Sequence, residues 1–449
     1  MKSDKNVREL AVDALMAVNE DGVFLNTEIS RILQETPSLS PEDRGLFVRL
    51  TEGTVQHRIR LDYFLNKVSK TPVRKMKPFI RALLRCAAYQ ILFLDRIPDH
   101  AVVNESVKMA KRRGFTGLSG FVNGVLRGLS SRKDEIALPD PARNRKDYLS
   151  IAFSVPMWLT ELFLDEYGYE RTREVFSCIQ AEDKPLSLWA NRLRTTPAEL
   201  LKALESEGIA AEAVDGIDGA FVCRNLPGIR ELASFKAGDF YVQNLGPMRV
   251  MDEVLGRLDL DGFDEESPLR VLDTCASPGG KSLYVANALG KRASIVSCDV
   301  SDGKLKRLNQ NVERLGYGNI VSTQVSDALE YRPADEGEFD LVMLDVPCSG
   351  IGTMGRKPDI RYRLQKGDIA SLAERQMEMV RVCSRYVNHG GYLLYMTCTV
   401  GGAENAANAA RIASGLPFEL ICDRQLLPDE SGSDGFYFAL FKRKEADNG

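Results

Sequence analysis

One run, VLDTCASPGGKS from Val271 to Ser282, restricts what this chain can fold into more than any other feature of it. Its first residues continue an apolar run from Leu269, bounded by Pro268, and read as a buried parallel strand. A Pro-Gly-Gly turn follows, and Lys281 to Leu289 reads as a helix. Gly279 and Gly280 carry no Cβ, so a ligand can lie against the backbone at the helix N-terminus, whose free N–H groups favour an anionic group. The spacing is neither the G-x-G-x-x-G of a dinucleotide site nor the G-x-x-x-x-G-K-[ST] of a triphosphate site. The next strand, Ala293 to Cys298, ends in Asp299, whose carboxylate can accept from both hydroxyls of a ribose. An adenosine with an amino-acid tail fits both ends. A tight strand-helix turn beside a solvated aspartate fits the same residues equally well.

From Pro268 onward strands and helix-length stretches alternate, the strands being Leu269 to Asp273, Ala293 to Cys298, Ile320 to Gln324, Phe339 to Asp345 and Tyr392 to Met396. That alternation predicts a doubly wound parallel sheet with its ligand crevice at the carboxyl ends of the strands. Cys275, Asp299, Asp327, Asp345 and Cys398 all fall at or just beyond such ends. Asp327, in Ser326-Asp327-Ala328, either faces the exocyclic amine of an adenine or caps a helix. Two stretches carry the chemistry: FDLVMLDVPCSGIGTMGRKPDIR (Phe339 to Arg361) and GYLLYMTCTVGGAEN (Gly391 to Asn405). Asp345-Val346-Pro347-Cys348 follows one buried strand and Thr397-Cys398 the next. Neighbouring parallel strands lie roughly 5 Å apart, so their ends can bring two thiols and a carboxylate into one pocket. A lone cysteine is most often a buried structural residue. Two beside a cofactor crevice favour covalent catalysis, because a thiolate is the best nucleophile among ordinary side chains.

A chain of 449 residues exceeds one ordinary core, and about two to four domains are expected. Charged residues at 27% and hydrophobic ones at 44%, with no apolar run of spanning length, describe a soluble globular protein without a membrane segment. Met1-Lys2-Ser3-Asp4 begins no signal peptide, so the cytoplasm is the expected location. Nine scattered cysteines without a C-x-x-C pair, and only three histidines, argue against a disulfide framework and against a metal site. Charge is unevenly spread. Up to residue 145 there are 25 Lys and Arg against 17 Asp and Glu, so the front carries +8 and the remainder −12 of the overall −4. A basic front on an acidic remainder suggests that the front holds a polyanion, although Lys/Arg-rich surface helices also occur without that role.

The front segment reads as wholly helical. Val7, Leu10, Ala11, Ala14, Leu15 and Val18 keep a 3.6-residue rhythm, and Ser40-Pro41-Glu42-Asp43 sets a cap, a first-turn proline and acids at a helix start. Ile80, Leu83, Leu84, Ala87 and Ile91 mark one buried face of a later helix. Basic residues gather at Arg74-Lys75-Met76-Lys77 and from Lys108 to Arg113, available to phosphates or simply to water. Pro139 to Arg145 reads as a linker. From about Tyr148 to Phe240 the chain mixes types: Leu186, Leu188 and Ala190 alternate as in a strand, Thr196-Pro197-Ala198-Glu199 is a capping box, and short strands follow near Phe221 and Tyr241. Asn191, Arg192 and Arg194 either reach RNA or are structural.

Pro98 to Gly114 (PDHAVVNESVKMAKRRG) and Phe121 to Leu129 (FVNGVLRGL) resemble the NusB-like helical RNA-binding domain. Asp273-Thr274-Cys275-Ala276-Ser277-Pro278-Gly279-Gly280-Lys281, Asp345-Val346-Pro347-Cys348-Ser349-Gly350 and Thr397-Cys398 resemble the cofactor-binding and catalytic motifs of the Sun-type RNA cytosine-5 methyltransferases. Together the resemblances cover most of the chain, least the middle module, and imply the bacterial branch that acts on 16S ribosomal RNA. The implied fold is multidomain: an all-α NusB-like RNA-binding domain over 1–145, a small α+β module over 148–240, and a C-terminal α/β Rossmann-like class I methyltransferase domain over 241–449. The implied cofactor is S-adenosyl-L-methionine, the partner is RNA, and a monomer without metal is expected. Cys275, Ala276, Ser277, Pro278, Gly279, Gly280 and Lys281 would wrap the cofactor's methionine part; Asp299 and Asp327 would hold its ribose and adenine; Asp345 would lie against cofactor and base. By the same resemblance Cys398 is the nucleophile and Cys348 assists product release. Ser277 stands where alanine is more usual, Lys357 where histidine often precedes Pro-Asp, and Gln243-Asn244-Leu245-Gly246 where Gln-Asp-x-Ser is usual.

Cytosine C5 is too electron-poor to be methylated directly, so a thiolate must first add to C6. The alternatives are a methyltransferase acting on another RNA such as tRNA, a DNA cytosine-5 enzyme, in which the Pro-Cys cysteine attacks, or a non-catalytic RNA-binding protein with a relict cofactor fold. An amino-directed adenine enzyme would want Asp/Asn-Pro-Pro-aromatic where Asp345-Val346-Pro347-Cys348 stands.

Overall fold

A computed structural model of the chain describes residues 6–182, 184–224 and 228–445; the opening Met1-Lys2-Ser3-Asp4 lies outside them. Two compact units result, one holding the residues up to Gln180 together with Met354–Gln365, the other holding Ala181–Thr353 and the residues from Lys366 onward.

The first unit is helical: α1 (Val7–Asn19), α2 (Leu25–Glu35), α3 (Pro41–Gln56), α4 (Arg58–Val68), α5 (Pro78–Phe93), α6 (Asp99–Arg112), α7 (Ser119–Arg132), α8 (Arg145–Ala152) and α9 (Met157–Gln180). α3 starts as its sequence predicts, with Ser40 Oγ accepting from Asp43 N at 3.1 Å and Pro41 in the first turn. α5 differs from expectation, because burial runs round its whole circumference from Phe79 to Ile91. It is the central helix, packed against α1, α3, α4, α6 and α7. Its two polar interior residues are matched: Arg85 makes a bidentate pair with Asp62 at 2.7 and 2.6 Å, and Gln90 accepts from Arg8 Nε at 2.8 Å. The unit continues past the polar stretch 139–145, since α8 packs on α4 and α9.

The second unit contains two sheets. The smaller has β1 (Leu186–Ala190), β2 (Ala211–Ala213), β3 (Ala220–Cys223) and β4 (Phe240–Val242) in the order β2-β3-β1-β4, all antiparallel, with α10 (Pro197–Ser206) and α11 (Ala233–Ala237). Thr196 and Glu199 form the expected capping box of α10. Asn191, weighed above as an RNA contact, is fully buried: its Nδ2 donates to Gly238 O and Leu315 O, both at 2.8 Å, and its Oδ1 accepts from Tyr317 Oη at 2.7 Å.

The larger part follows as α12 (Leu245–Leu255), β5 (Leu269–Asp273), α13 (Gly280–Leu289), β6 (Ala293–Asp299), α14 (Asp302–Leu315), β7 (Val321–Val325), β8 (Phe339–Asp345), α15 (Ile360–Arg363, within the first unit), α16 (Lys366–Cys383), β9 (Val387–Thr397), α17 (Ala406–Gly415), β10 (Phe418–Leu426) and β11 (Phe436–Arg443). The strand order is β10-β11-β9-β8-β5-β6-β7. β9, β8, β5, β6 and β7 are parallel, as predicted; β11 runs antiparallel between β9 and β10. The chain steps outward from β5 through β6 to β7, then returns to β5's other edge with β8. That reversal opens the crevice at the carboxyl ends of β5 and β8.

The segment Met354–Gln365 completes the first unit chemically. α2 has no side-chain cap of its own, and Asp359 Oδ2 accepts from Leu25 N at 3.2 Å in its place. Arg361 is fully buried; Nη1 donates to Phe153 O at 3.1 Å and Ser154 O at 3.3 Å, and Nη2 to Met354 O at 3.0 Å. Burial pushes this guanidinium's pKa down, and the three carbonyls are what make its charge tolerable there. Arg361→Leu strands those acceptors and is expected to cost about 3 kcal/mol in urea unfolding. An unchanged midpoint would show that the guanidinium contributes nothing.

Candidate functional site

The turn after β5 is built for close approach. Gly279 sits at φ 108°, and a Cβ there would stand 3.1 Å from Leu283 Cδ1 and from Leu308 Cγ. On the neighbouring Gly280 a Cβ would stand 3.1 Å from Gln243 Nε2, whose Oε1 accepts from Trp189 Nε1 at 2.8 Å. The unusual Asn244 beside it caps α12, accepting from Gly246 N and Asp434 N at 2.9 Å each.

A cavity of about 360 Å³ lies at the strand ends and brings together Cys275, Ser277, Asp299, Asp327, Asp345, Cys348 and Cys398. Ala276, Pro278, Gly279, Gly280 and Lys281 are not on its lining; they belong to the turn and to the first turn of α13. Asp299 is 5% exposed and pairs with Lys304 Nζ at 3.2 Å. Asp327 caps no helix, because none follows it; its carboxylate accepts from Leu329 N at 2.9 Å within a turn and faces the cavity. Val300, 60% exposed, adds an apolar wall that sequence reasoning missed. Arg375 and Met379, one turn apart on α16, also line the cavity and were missed; their i, i+4 spacing was the only available signal.

Lys281 donates to Asp345 Oδ2 at 2.5 Å, with Nζ 5.3 Å from the centre of the Phe436 ring. Burial works against the ammonium charge, but the Asp345 carboxylate outweighs it and holds the lysine pKa above its usual value. The lysine of the turn thus secures a carboxylate. Cys348 Sγ and Cys398 Sγ are 3.2 Å apart. The hydrogen bond to Cys398, followed by burial, raises the Cys348 pKa well above normal. Burial likewise pushes Cys275 up, reinforced by the charges of Asp273 and Asp345. Behind the thiols lies Glu404, part of the GGAEN run but not singled out from sequence, hydrogen-bonded to the residue after Cys348.

The residues present fit an adenosine carrying an amino-acid tail. A carboxylate ends β6, an exposed valine follows it, a second carboxylate ends the next strand's loop, and β5 ends in a buried acceptor with spare capacity. That acceptor is Asp273: Oδ2 accepts from Ser282 Oγ at 2.6 Å, while Oδ1 is buried with no partner among the described residues. Among those residues no cluster of three or more His, Cys, Asp or Glu could hold a metal ion, and no helix is long and apolar enough to cross a membrane.

Comparison with known proteins gives three family matches: 16S rRNA methyltransferase RsmB/F over residues 260–442, the NusB family over 5–131, and the RsmF/B-like ferredoxin-like domain over 155–225. A probable ribosomal RNA small subunit methyltransferase B of Bacillus subtilis is 33% identical over 98% of this chain and 99% of its own length. The ribosomal RNA small subunit methyltransferase B of Serratia proteamaculans is 30% identical over 98% of this chain and 99% of its own. The crystal structure of PH0851 matches in fold with a TM-score of 0.79 at 22% identity, over 99% of this chain and 100% of that one.

Burial raises the Asp273 carboxyl, against the Ser282 hydrogen bond, from 3.8 to about 6. The folded chain therefore binds this proton more tightly than the unfolded one. The stability it contributes is full below 3.8 and is lost as pH rises through about 6. Asp273→Asn should escape that loss, gaining on the wild type in urea unfolding between about pH 4 and pH 7 by up to about 3 kcal/mol. Parallel pH profiles for the two proteins would contradict the raised value.

Proposed function

The chain belongs to the ribosomal RNA small subunit methyltransferase B family, and from that membership we propose that it methylates C5 of a cytidine in 16S ribosomal RNA through a covalent Cys398–C6 adduct. It is an S-adenosylmethionine-dependent RNA methyltransferase by family. The base, the atom and the covalent route are the proposal. So are its action as a monomer in the cytoplasm and the working division into a NusB-like domain (1–145), a middle module (148–240) and a catalytic domain (241–449). What carries the reading is the pair of sulfurs 3.2 Å apart beside a lysine-held carboxylate.

Cys275, Ala276, Ser277, Pro278, Gly279, Gly280 and Lys281 would hold the cofactor's methionine part, Asp299 its ribose, Asp327 its adenine, and Asp345 the side facing the base. When bound, S-adenosylmethionine supplies an electrophilic methyl group. Cys398 gives its electron pair to C6 of the pyrimidine, and the displaced ring electrons make C5 nucleophilic. Asp345, paired with Lys281, takes the proton that Cys398 gives up on attack and donates it to N3, offsetting the charge that develops on the ring. Once its sulfur is bonded to C6, Cys398 is no longer the partner that chiefly kept Cys348 protonated. Cys348 can then lose its proton to water and take the one left on C5; the C6–S bond breaks and returns its electron pair to Cys398. The target must be unpaired or swung out of its stack to reach this cavity.

Cys398→Ala should abolish methylation of 16S ribosomal RNA, followed by tritium transfer, while cofactor affinity measured by calorimetry stays within about twofold. Surviving turnover would remove Cys398 from the mechanism. Cys348→Ala should instead accumulate a denaturant-stable protein–RNA adduct on a gel. No adduct there would end the division of labour between the two sulfurs.

A further inference from the structure

Glu404 lies in the loop between β9 and α17 and is 0% exposed. A carboxylate that deep is tolerated only when its acceptor sites are filled. Oε1 accepts from Ser349 N and from Gln376 Nε2, both at 2.9 Å, and Oε2 accepts from Ser349 Oγ at 2.5 Å. Ser349 directly follows Cys348. Its hydroxyl also meets Thr399 Oγ1 at 2.7 Å, and Thr399 directly follows Cys398. Because Ser349 spends its one hydroxyl proton on the carboxylate, Thr399 must be the donor in that second contact. Gln376 Nε2 donates as well to Pro347 O at 3.1 Å, the residue before Cys348. Tyr395 Oη donates to the Glu404 carbonyl at 2.6 Å, tying the loop to β9.

The carboxylate thus grips both sides of Cys348, and one hydroxyl separates it from the residue after Cys398. The two turns are also linked by the contact between the sulfurs themselves and by the backbone hydrogen bonds from Val346 N to Met396 O at 3.1 Å and from Gly352 N to Cys398 O at 3.2 Å.

We propose that Glu404 is a positioning residue for the thiol pair: through Ser349 it sets the register of the Cys348 turn against the Cys398 turn, and so places Cys348 for the release step. This rests on the roles given to the two sulfurs under the proposed function. Glu404 is buried and is not on the lining of the cavity. Its effect is confined to where one sulfur stands relative to the other, so it acts on adduct breakdown and leaves cofactor binding alone. Glu404→Gln keeps the shape but replaces one acceptor oxygen by an amide NH₂, which must face either Ser349 or Gln376, both already donors.

The test is made on the full-length protein with 16S ribosomal RNA. Glu404→Gln should lower kcat at least about tenfold with KM and cofactor affinity within about twofold, and should accumulate the denaturant-stable adduct. In a Cys348→Ala background it should slow adduct breakdown by less than about twofold further, since the group it places is gone. Multiplying defects in the double variant, or a loss of cofactor affinity with no adduct, would overturn the proposal. Ser349→Ala cuts only the hydroxyl link and serves if Glu404→Gln does not fold. It should show the same adduct with a smaller fall in kcat, and wild-type breakdown of the adduct in Ser349→Ala would equally overturn the proposal. If Cys348→Ala itself gives no adduct, the sulfur assignments fail; if it does and Glu404→Gln does not, the positioning role alone fails.

Discussion

Everything at the site depends on β8 and β9 running side by side in the same direction. Their register pairs Asp345 with Met396, so the two chains leave the sheet at the same edge, and parallel strands are about 4.8 Å apart there. Cys348 comes three residues after one partner and Cys398 two after the other, which lets their sulfurs meet at 3.2 Å. A parallel pair needs a long crossover, and the stretch between these strands supplies it with α15 and α16. β11 then covers the far edge of β9, so Leu393 to Met396 are wholly buried and the strand that leads to Cys398 is held on both sides. A sulfur at the end of such a strand rests on one of the least deformable parts of the chain.

The same crevice collects more carboxylates than a region of low polarity tolerates, and each is met in its own way. Lys281 neutralises Asp345, Lys304 pairs with Asp299, and Glu404 has its acceptor sites filled by neutral donors. At Asp273 burial outweighs the Ser282 hydroxyl and moves the carboxylate toward the protonated form. The accumulated negative charge bears on the sulfurs. It raises Cys275 through Asp273 and Asp345, after burial, and adds to what the Cys398 hydrogen bond and burial do to Cys348. Burial and these neighbours thus hold both Cys275 and Cys348 above the ordinary thiol value.

How much of this was legible follows the range of the interactions. The five parallel strands were read because each is a short apolar run ending in a turn, a local signal. The antiparallel pair β10 and β11 was not read, since Phe436 to Phe441 is buried by strands brought to it from elsewhere in the chain. α5 gave a helical rhythm but not its all-round burial, which depends on five other helices. At the site, residues with strand-end placement were found: Cys275, Asp299, Asp327, Asp345 and Cys398. Lys281 was placed in the turn, but its partner Asp345 is 64 residues away, and no spacing rule links them. Glu404 and Ser349 are 55 residues apart and were invisible for the same reason. Asn191 misled because a polar residue after a strand reads as exposed until Leu315 and Tyr317 close over it.

The basic front end also changes meaning once side-chain partners are known. Of the run from Lys108 to Arg113, Lys108 pairs with Glu105, Arg112 with Glu9 and Arg113 with Asp13, while Arg113 and Lys77 also lie over the Phe79 and Phe115 rings. A cation that already has a carboxylate contributes little to phosphate binding, because it displaces no nucleic-acid counterion without first losing that partner. Arg74, Lys75 and Lys111 are exposed and make no such pairs among the described residues. The excess of +8 read from sequence therefore concentrates on fewer side chains than the count of Lys and Arg implies. A phosphate backbone held through this segment would meet those free cations first, and salt would weaken the hold in proportion to their number rather than to the whole basic composition.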